Sequence, residues 1–290
     1  MLPARTLVAA AREVVQLNRT ARAHRPRPPR CGLVVEVGGG QSPHPRADLV
    51  VEKYVADDFE RPGGRRFSFA KPLVVGDGHR LPLATQSIAY TVASHVLEHA
   101  TDPVRFAAEL ARVGAGGFVQ VPSRESELTY GWPFHPWLID LEDGVLVFTP
   151  RRPGDVAPAG NVHHELYAST ALARLAFELR RSTWHHSIEW RGDLAVRVEG
   201  RSEAERSASF DLDATIAALE SAEVPPLPAH VRAALACPAC CSGIEFDSSA
   251  VCFGCRREYP VAGGVPILLV EAAVERSASR DSDLAVALAG

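Results

Sequence analysis

The sequence predicts an α/β protein with a doubly wound, mainly parallel sheet and a small metal-binding domain towards its C-terminus. Three observations support this prediction. The apolar run Leu33–Val37 breaks into the glycines Gly38–Gly40, as a buried strand entering a tight turn would. Further short apolar runs alternate with turn and helix signals up to Pro122. Two Cys-x-x-Cys pairs follow much later in the chain.

Composition limits the classes of protein to consider. The 290 residues suffice for about two domains. The content of 46% hydrophobic and 23% charged residues is ordinary for a soluble protein. No apolar run approaches the roughly 18–20 residues of a membrane span, so no membrane partner is expected. A net charge of −4 gives no reason to expect nucleic acid. The N-terminus shows no convincing secretory cleavage site, and paired cysteines suit a reducing compartment, so a cytoplasmic location is expected.

Residues 1–30 are rich in arginine. The pattern predicts an amphipathic helix over residues 2–23 and a linker at Pro26–Arg30. The helix either packs on the following domain or forms a basic arm that contacts phosphate or an acidic partner.

The next three strands each end near a polar group. Ala47–Tyr54 contains the acid Glu52, Pro72–Val75 leads to Gly76-Asp77-Gly78, and Ser87–Ser94 leads to a histidine. The QSPHPR stretch after the glycine turn is too rich in proline for a full-length helix, so the first crossover helix should be stunted.

A helix and a fifth strand complete this region. Asp102 and Pro103 are N-cap and first-turn signals for a helix ending near Val113. Gly117–Val121 is then predicted as the fifth strand, which gives the regular strand, helix, strand alternation of a parallel sheet.

Five ordered segments lie within about residues 31–122: EVGGG, the acid Glu52, GDGHRLPL, SHVLEHATDP and AELARVGAGGFVQVP. Together they resemble the class I S-adenosylmethionine-dependent methyltransferases, in particular the group with an HVLEH block. The resemblance implies a Rossmann-like fold and S-adenosylmethionine as cofactor. Gln41-Ser42 stand where the family usually has another glycine, and the interval from Glu36 to Glu52 is short, which leaves the fine geometry open.

The resemblance also implies a cofactor site along the ends of the strands. It comprises Glu36, Gly38 and Gly40 at the methionine end, Glu52 at the ribose, Asp77 with Gly78 at the adenine, and Ser94 and His95 beside cofactor and substrate. The residue types fit, because carboxylates accept hydrogen bonds from ribose hydroxyls and from an adenine amine.

The block His95-Val-Leu-Glu98-His99 also matches the HxxEH pattern of inverted zinc proteases. A protease would carry this pattern in mid-helix with a later acidic ligand. Here it follows a strand directly, as in the methyltransferase block, so the methyltransferase interpretation is preferred.

A substrate-choosing insert is predicted at about residues 123–170. The segment Trp132–Trp137 is dense in aromatics and forms either a lid, with His135 as general base, or an apolar plug. His163 and His164 are the reserve bases, with a structural role as the alternative. A hairpin is predicted at Leu141–Arg152, a helix from about Ser169 to Arg181, and further strands within Ile188–Val198.

Four cysteines predict a metal site. Two Cys-x-x-Cys pairs separated by eleven residues form the zinc-ribbon arrangement, a closed set of thiolates that holds a structural Zn²⁺: Cys237, Cys240, Cys252 and Cys255. Cys241 is expected not to bind the metal, although it could replace Cys240, and Cys31 is expected to be a packed thiol.

The cysteine segment and the run Arg257–Leu269 resemble the small zinc-ribbon family that acts as an activating subunit of methyltransferases. The resemblance implies a module that stabilises a methyltransferase, here fused to it. The predicted domains are 1–30, the methyltransferase domain 31–200, a linker 201–230, the zinc ribbon 231–275 and a tail 276–290.

These features together predict a methyltransferase acting on an oxygen or nitrogen of a small molecule, such as a specialised metabolite or a sugar-bearing intermediate. Two alternatives stay open: methylation of tRNA or a translation protein, and a non-catalytic scaffold that has kept the cofactor fold. The acceptor and the oligomeric state are not predicted.

Overall fold

The computed structural model describes residues 22–61, 65–155, 160–201, 210–246 and 248–275, with residues 12, 14–16 and 19 before them. The chain divides into two compact units. The glycine-turn unit consists of Cys31–Ala89, Arg112–Gly114 and Ala208–Gly290. The histidine unit consists of Met1–Arg30, Tyr90–Ala111 and Ala115–Ser207.

The strands come in the predicted order, but the regular alternation with helices is not found, because the described residues between Val37 and Tyr90 contain no α-helix. The strands are β1 (Val34–Val37), β2 (Leu49–Glu52), β3 (Leu73–Gly76), β4 (Tyr90–Ser94), β5 (Gly116–Pro122), β6 (Trp137–Glu142), β7 (Val145–Pro150), β8 (His185–Arg191), β9 (Val196–Val198), β10 (Ile244–Phe246), β11 (Ala250–Cys252), β12 (Arg257–Tyr259), β13 (Val261–Ala262), β14 (Val265–Leu268) and β15 (Val274–Glu275). The α-helices are α1 (Pro103–Val113), α2 (Arg124–Tyr130), α3 (Gly160–Ser169), α4 (Ala171–Leu179), α5 (Arg181–Trp184), α6 (Leu212–Ser221) and α7 (Ala229–Arg232). The predicted mixed α/β class with a mainly parallel sheet is confirmed.

In the glycine-turn unit the strands lie in the order β13-β14-β3-β2-β1. The pairs β1–β2, β2–β3 and β3–β14 are parallel, whereas β13 and β14 form an antiparallel hairpin. The strands β1, β2 and β3 are almost wholly buried, which explains their continuous apolar sequence. No helix separates β1 from β2 within the described residues 38–48, as the proline-rich stretch predicts.

The C-terminal strand β14 is part of this sheet and does not lie apart from it. Its Ile267 is level with Val75 of β3, and both side chains are fully buried. The same apolar cluster contains Leu219 of α6, a helix within the predicted linker. A separate four-stranded antiparallel sheet has the order β10-β11-β12-β15. Cys237 and Cys240 precede β10, Cys252 ends β11, and Cys255 lies in the turn between β11 and β12.

In the histidine unit β4, β5 and β8 are neighbours, and β8 runs antiparallel to β5. Gly117 of β5 lies tightly against Thr91 of β4, since a Cβ there would meet the Thr91 Oγ1 at 2.3 Å. A second sheet, β6-β7-β9, contains the predicted hairpin with its turn at Asp143-Gly144, where φ is positive at both residues.

Three boundaries differ from the sequence predictions. Helix α3 already begins at Gly160, so His163 and His164 lie within a helix and do not precede one. Trp137 belongs to strand β6, where it pairs with Pro150 of β7. Its side chain is buried, and its indole N–H donates to the Ala100 carbonyl at 2.7 Å. Strand β8 begins at His185, where pairing with Pro122 of β5 starts.

Cys31, predicted as a packed thiol, is exposed, since it precedes the buried part of β1. Most of the predicted helix over residues 2–23 lies outside the described residues, as do residues 202–209 of the linker and the tail 276–290. Among the described residues, no helix has the length and apolar character needed to cross a membrane.

Candidate functional site

The three acids predicted to bind the cofactor lie at the same edge of the glycine-turn sheet. Glu36 pairs with Val50 across β1 and β2, and Glu52 ends β2 level with Val75 of β3. Asp77 follows one residue after the end of β3. The carboxyl ends of parallel strands form the ligand-binding edge of such sheets, so the structure brings the acids to the expected place.

The glycine turn Gly38–Gly40 lies beside these acids and leaves free space above its backbone. The Gly38 N–H donates to the Val51 carbonyl at 2.9 Å, and φ is +74° at Gly38 and +53° at Gly40. A Cβ built on Gly40 would have no described atom within 4 Å, whereas one on Gly39 would meet Val50 at 3.2 Å. The turn therefore needs glycine for its conformation at two positions, and it leaves space at Gly40 for a ligand to approach the backbone.

Glu36 is a buried acid with only 5% of its surface exposed. Its Oε2 accepts a hydrogen bond from the His44 backbone N–H. Burial raises the pKa of Glu36 to about 7, against the opposing effects of the His44 N–H and the Lys71 charge. In the protein without cofactor this carboxyl group consequently titrates near neutral pH.

Glu52 accepts backbone hydrogen bonds from three residues, Gly40, Lys53 and Tyr54. The N–H groups of Lys53 and Tyr54 donate to its Oε1 at 3.0 and 3.1 Å. Burial raises the pKa of Glu52, although the charge of Arg61 and these N–H groups act in the opposite direction. The backbone bonds fix the side chain, and since a carboxylate has about four lone-pair positions, these three bonds leave about one for a ligand hydroxyl.

Asp77 has protein partners on both oxygens. Lys53 Nζ lies 2.8 Å from its Oδ2, and the ring and backbone N–H groups of His79 lie 2.8 Å from its Oδ1. Burial would raise the pKa of Asp77, but the hydrogen bonds from His79 and Lys53 outweigh it and hold that pKa below its usual range. Lys53 also pairs with Glu271 at 2.8 Å. No sequence signal pointed to Glu271, because it lies far along the chain beyond the cysteine region.

Ser94 and His95 belong to the histidine unit. His95 follows β4 in the left-handed region with φ of +55°, and its N–H donates to the Gln120 carbonyl at 2.8 Å. Its Nδ1 lies 3.1 Å from Glu98 Oε1. Hydrogen bonding to His95 overcomes burial and lowers the pKa of Glu98.

The predicted bases occupy different environments within the histidine unit. His135 is 6% exposed, and its Nδ1 lies 2.6 Å from Glu127 Oε1. Burial lowers the pKa of His135, although Glu127 acts in the opposite direction. His163 and His164 are partly exposed, and their rings bond to the Thr129 and Tyr130 carbonyl groups at 2.9 and 3.2 Å. The neighbours Glu98 and Glu127 were not predicted as site residues.

The four predicted cysteines come together in the glycine-turn unit. Their sulfur atoms all lie within 4.8 Å of one another, with 3.6 Å between the Cys237 and Cys255 sulfurs and 3.4 Å between those of Cys240 and Cys252. A tetrahedral zinc with bonds of about 2.3 Å requires sulfur separations of about 3.8 Å, so the four thiols fit the ion. Cys241 is exposed with φ of +61° and is not among the four.

The parallel strands, the glycine turn and the acids at one sheet edge form the kind of edge at which α/β folds bind ligands. Residues 38–119 match the family described as a methyltransferase domain. The matched stretch carries the glycine turn and the acids Glu52 and Asp77, so this part of the chain is similar to a methyltransferase domain.

A search of curated protein sequences gave no match. Similar solved structures include a methyltransferase from Thermotoga maritima, with 19% identity over 43% of this chain and 56% of that chain, and a TM-score of 0.27. A complex of the Haloferax volcanii Trm112 methyltransferase activator with a putative methyltransferase has 20% sequence identity over 40% of this chain and 57% of that chain, with a TM-score of 0.26. A methyltransferase from Mesorhizobium loti has 15% sequence identity over 52% of this chain and 73% of that chain, with a TM-score of 0.26. The chain thus spans little more than half the length of the first of these, and such low scores say nothing of substrate or partner.

Proposed function

We propose that this enzyme transfers the methyl group of S-adenosylmethionine to an oxygen or nitrogen atom of a small molecule, such as a specialised metabolite or a sugar-bearing intermediate. We further propose that it works in the cytosol with a structural Zn²⁺ in its C-terminal ribbon. The proposed organisation is a basic N-terminal segment at 1–30, the methyltransferase domain at 31–200 with its insert at about 123–170, a linker, the ribbon at 231–275 and a tail.

The observation that carries the proposal is the pair of glutamates at the ends of two adjacent parallel strands, beside the glycine turn. Glu36 and Glu52 are fixed by backbone N–H groups, and space remains over Gly40. These groups fit a cofactor that carries both cationic groups and a ribose diol.

The bound cofactor would supply an electrophilic methyl group on a sulfonium, and the chain would supply binding and alignment. Glu52 would accept a ribose hydroxyl, and Glu36 with the turn would hold the cationic methionine end. Asp77 is already held by Lys53 and His79, so it would border the adenine as an oriented acceptor with Gly78 beside it. The roles of Ser94 and His95 rest on the family resemblance.

An acceptor hydroxyl would need a base, whereas a neutral amine could react without one in the attacking step. His163 and His164 are partly exposed, while His135 is buried against Glu127. Exposure therefore favours His163 or His164 over His135 as the base.

Aromatic packing around α2 and α3 supports a small acceptor. The rings of Trp132 and His164 are 4.1 Å apart, and Tyr130 contacts both Phe177 and Trp184 with centroids 5.8 and 5.7 Å away. Aromatic surfaces suit an enclosed organic ligand better than a long, charged polymer.

The ribbon would support the methyltransferase domain within the same chain. Strand β14 pairs with β3 directly beside the Asp77 turn, and Glu271 reaches Lys53. A zinc-bound ribbon would thus hold β14 against the sheet that carries the cofactor acids.

The test is calorimetric titration of the zinc-loaded full chain with S-adenosylhomocysteine. We expect micromolar affinity that Glu52→Gln abolishes and that Glu220→Gln, a change at an exposed position of α6, leaves intact. A folded wild-type protein that does not bind the product would refute the enzyme proposal and favour a scaffold.

Acceptor class is tested separately with radiolabelled S-adenosylmethionine. Methylation of members of a panel of small hydroxylated and aminated compounds supports the proposal. Label transferred only to tRNA or to protein, with a steep dependence on salt, would overturn the small-molecule assignment.

A further inference from the structure

A second group of metal-binding side chains lies in the histidine unit. Glu98, His99 and His135 each offer a ligand atom, and these atoms all lie within 4.8 Å of one another. The group contains no cysteine and belongs to a different unit from the four thiols, so it is independent of the zinc ribbon.

Local structure brings the three residues together from two segments. Glu98 and His99 lie in the 3₁₀ turn Leu97–His99 that follows β4. His135 comes from the loop between α2 and β6. The indole of Trp137 donates to the Ala100 carbonyl at 2.7 Å, which fixes this loop against the turn.

The hydrogen bond of His135 leaves its other nitrogen available as a ligand. A carboxylate can only accept, so the Nδ1–H of His135 donates to Glu127 Oε1 at 2.6 Å. The Nε2 of this tautomer carries a lone pair. A histidine whose N–H is held by a carboxylate is the usual arrangement of a metal-binding imidazole.

Glu98 is oriented in a similar way. Its Oε1 lies 3.1 Å from the His95 ring, which can donate to it. Its Oε2 is buried, and no described residue donates a hydrogen bond to it. The Glu98 side chain has no exposed surface, so this unsatisfied carboxylate oxygen would be unfavourable without a cation or another donor.

The charges around the group are unbalanced. Glu98 and Glu127 are fully buried, and the guanidinium of Arg151 lies 3.5 Å from Glu127 Oε2. Arg151 offsets one of the two carboxylates, and the histidines are neutral where they act as ligands. A divalent cation near Glu98 would compensate the remaining negative charge.

We propose that Glu98, His99 and His135 form a second metal site, which binds a divalent transition-metal ion of the zinc type. Two imidazole nitrogens and one carboxylate oxygen suit Zn²⁺ and its first-row neighbours, and not the oxygen-preferring Mg²⁺ and Ca²⁺. Three protein ligands leave a coordination position for water or another ligand, in contrast to the closed four-cysteine site.

The ligand set differs from that of the HxxEH zinc-protease pattern. His95 supports Glu98 through a hydrogen bond and is not one of the three ligands, and the third ligand comes from His135. The geometry thus assigns metal binding to two residues of the motif without assigning proteolysis.

Metal content of the full chain is the first test. After saturation with Zn²⁺ and gel filtration, mass spectrometry should find two zinc ions per chain, one for each group of ligands. Glu98→Gln and His135→Gln should each remove one ion, whereas Cys252→Ser should remove the other. The control His186→Gln should retain both, because His186 bonds to the Ile139 carbonyl and is not one of the proposed ligands.

Substitution of Glu127, which orients His135, should weaken zinc binding without abolishing it. Glu127→Gln should weaken zinc binding at this site by about 10- to 100-fold, since it loosens the bond that orients His135. Competition with a chelator of known affinity measures this change, and circular dichroism checks that each variant is folded. A second ion that is unaffected by Glu98→Gln and His135→Gln would overturn the assignment.

Cobalt spectroscopy tests the wild-type protein and does not depend on variants that fold. The first Co²⁺ should give the intense near-ultraviolet charge-transfer band of thiolate ligands, and the second should add only weak visible bands. If a single cobalt ion binds and its spectrum is that of thiolates, the buried group is a network of ion pairs and the proposal is wrong.

Discussion

Glu36→Gln should stabilise the cofactor-free protein at alkaline pH. Burial raises the pKa of Glu36 from 4.5 to about 7. Above pH 7 the folded protein therefore carries a buried carboxylate that would be better solvated in the unfolded chain. Glutamine has nearly the same shape and keeps an oxygen that can accept the His44 N–H, so the substitution removes the charge but retains this hydrogen bond.

The magnitude follows from the two pKa values. At about 1.4 kcal/mol for each pH unit between them, the ionised side chain destabilises the folded state by about 3 kcal/mol. The folded pKa is raised, so wild-type stability from this group is fully present below pH 4.5 and is lost as pH rises through about 7. The variant should thus exceed wild type by less than about 1 kcal/mol at pH 5 and by about 3 kcal/mol at pH 8.

Urea unfolding at pH 5, 6, 7 and 8 measures this difference. Comparing the two proteins at each pH cancels the titration of the cysteines and of other groups that they share. The exposed-site variant Glu220→Gln should show no gap of this kind. The reasoning is refuted if Glu36→Gln is no more stable than wild type at pH 8, or if its advantage is the same at pH 5 and pH 8.

Four further predictions use other parts of the molecule. Affinity for S-adenosylmethionine should rise between pH 6 and pH 8 in wild type, because the cationic cofactor favours ionised Glu36, and calorimetry should find it flat in Glu36→Gln. Zinc chelation, or Cys252→Ser, should lower the melting temperature and also weaken product binding, which calorimetry before and after zinc addition checks. Gly117→Ala should destabilise by about 1–3 kcal/mol in urea through its clash with Thr91, whereas Gly154→Ala, where a Cβ would meet no described atom within 4 Å, should not. Fragments 1–209 and 210–290 should co-purify when co-expressed, since β14 pairs with β3; recovery of a soluble, product-binding 1–209 alone would contradict this.

Much of the glycine-turn sheet could be predicted from sequence, because each of its strands carries a local signal. An apolar run such as Leu33–Val37 specifies a buried strand, and the glycines and acids that follow mark its end. The positions of Glu36 and Glu52 at one edge then follow from parallel pairing. Likewise the spacing of the cysteine pairs is local enough to indicate the four-thiol group.

The remaining features depend on contacts between distant residues. Glu127 lies in an ordinary helix sequence, and only tertiary packing shows that its carboxylate orients His135. The sequence predicts a helix only from about Ser169, which corresponds to α4 and α5, and so misses α3. Gly160 and Asn161 are weak helix formers, and α3 packs against α2 and α4. The Lys53–Glu271 pair joins segments that no motif connects.

The pairing of β14 with β3 means that the C-terminal segment 231–275 contributes to the stability of the glycine-turn sheet. Without β14, β3 would expose an unpaired edge, and the buried side chains of Val75 and Phe67 would lose Ile267 and Leu269 from their cluster. A fully buried Ile or Leu side chain contributes about 1.5–3 kcal/mol, so these two positions alone account for several kcal/mol of a typical domain's stability. Because the Asp77 turn follows β3 immediately, this packing also positions one wall of the predicted adenine site. The four-cysteine segment and the strands predicted to bind the cofactor therefore belong to one compact unit, so bound zinc should influence cofactor binding even though a closed thiolate site is expected to be structural.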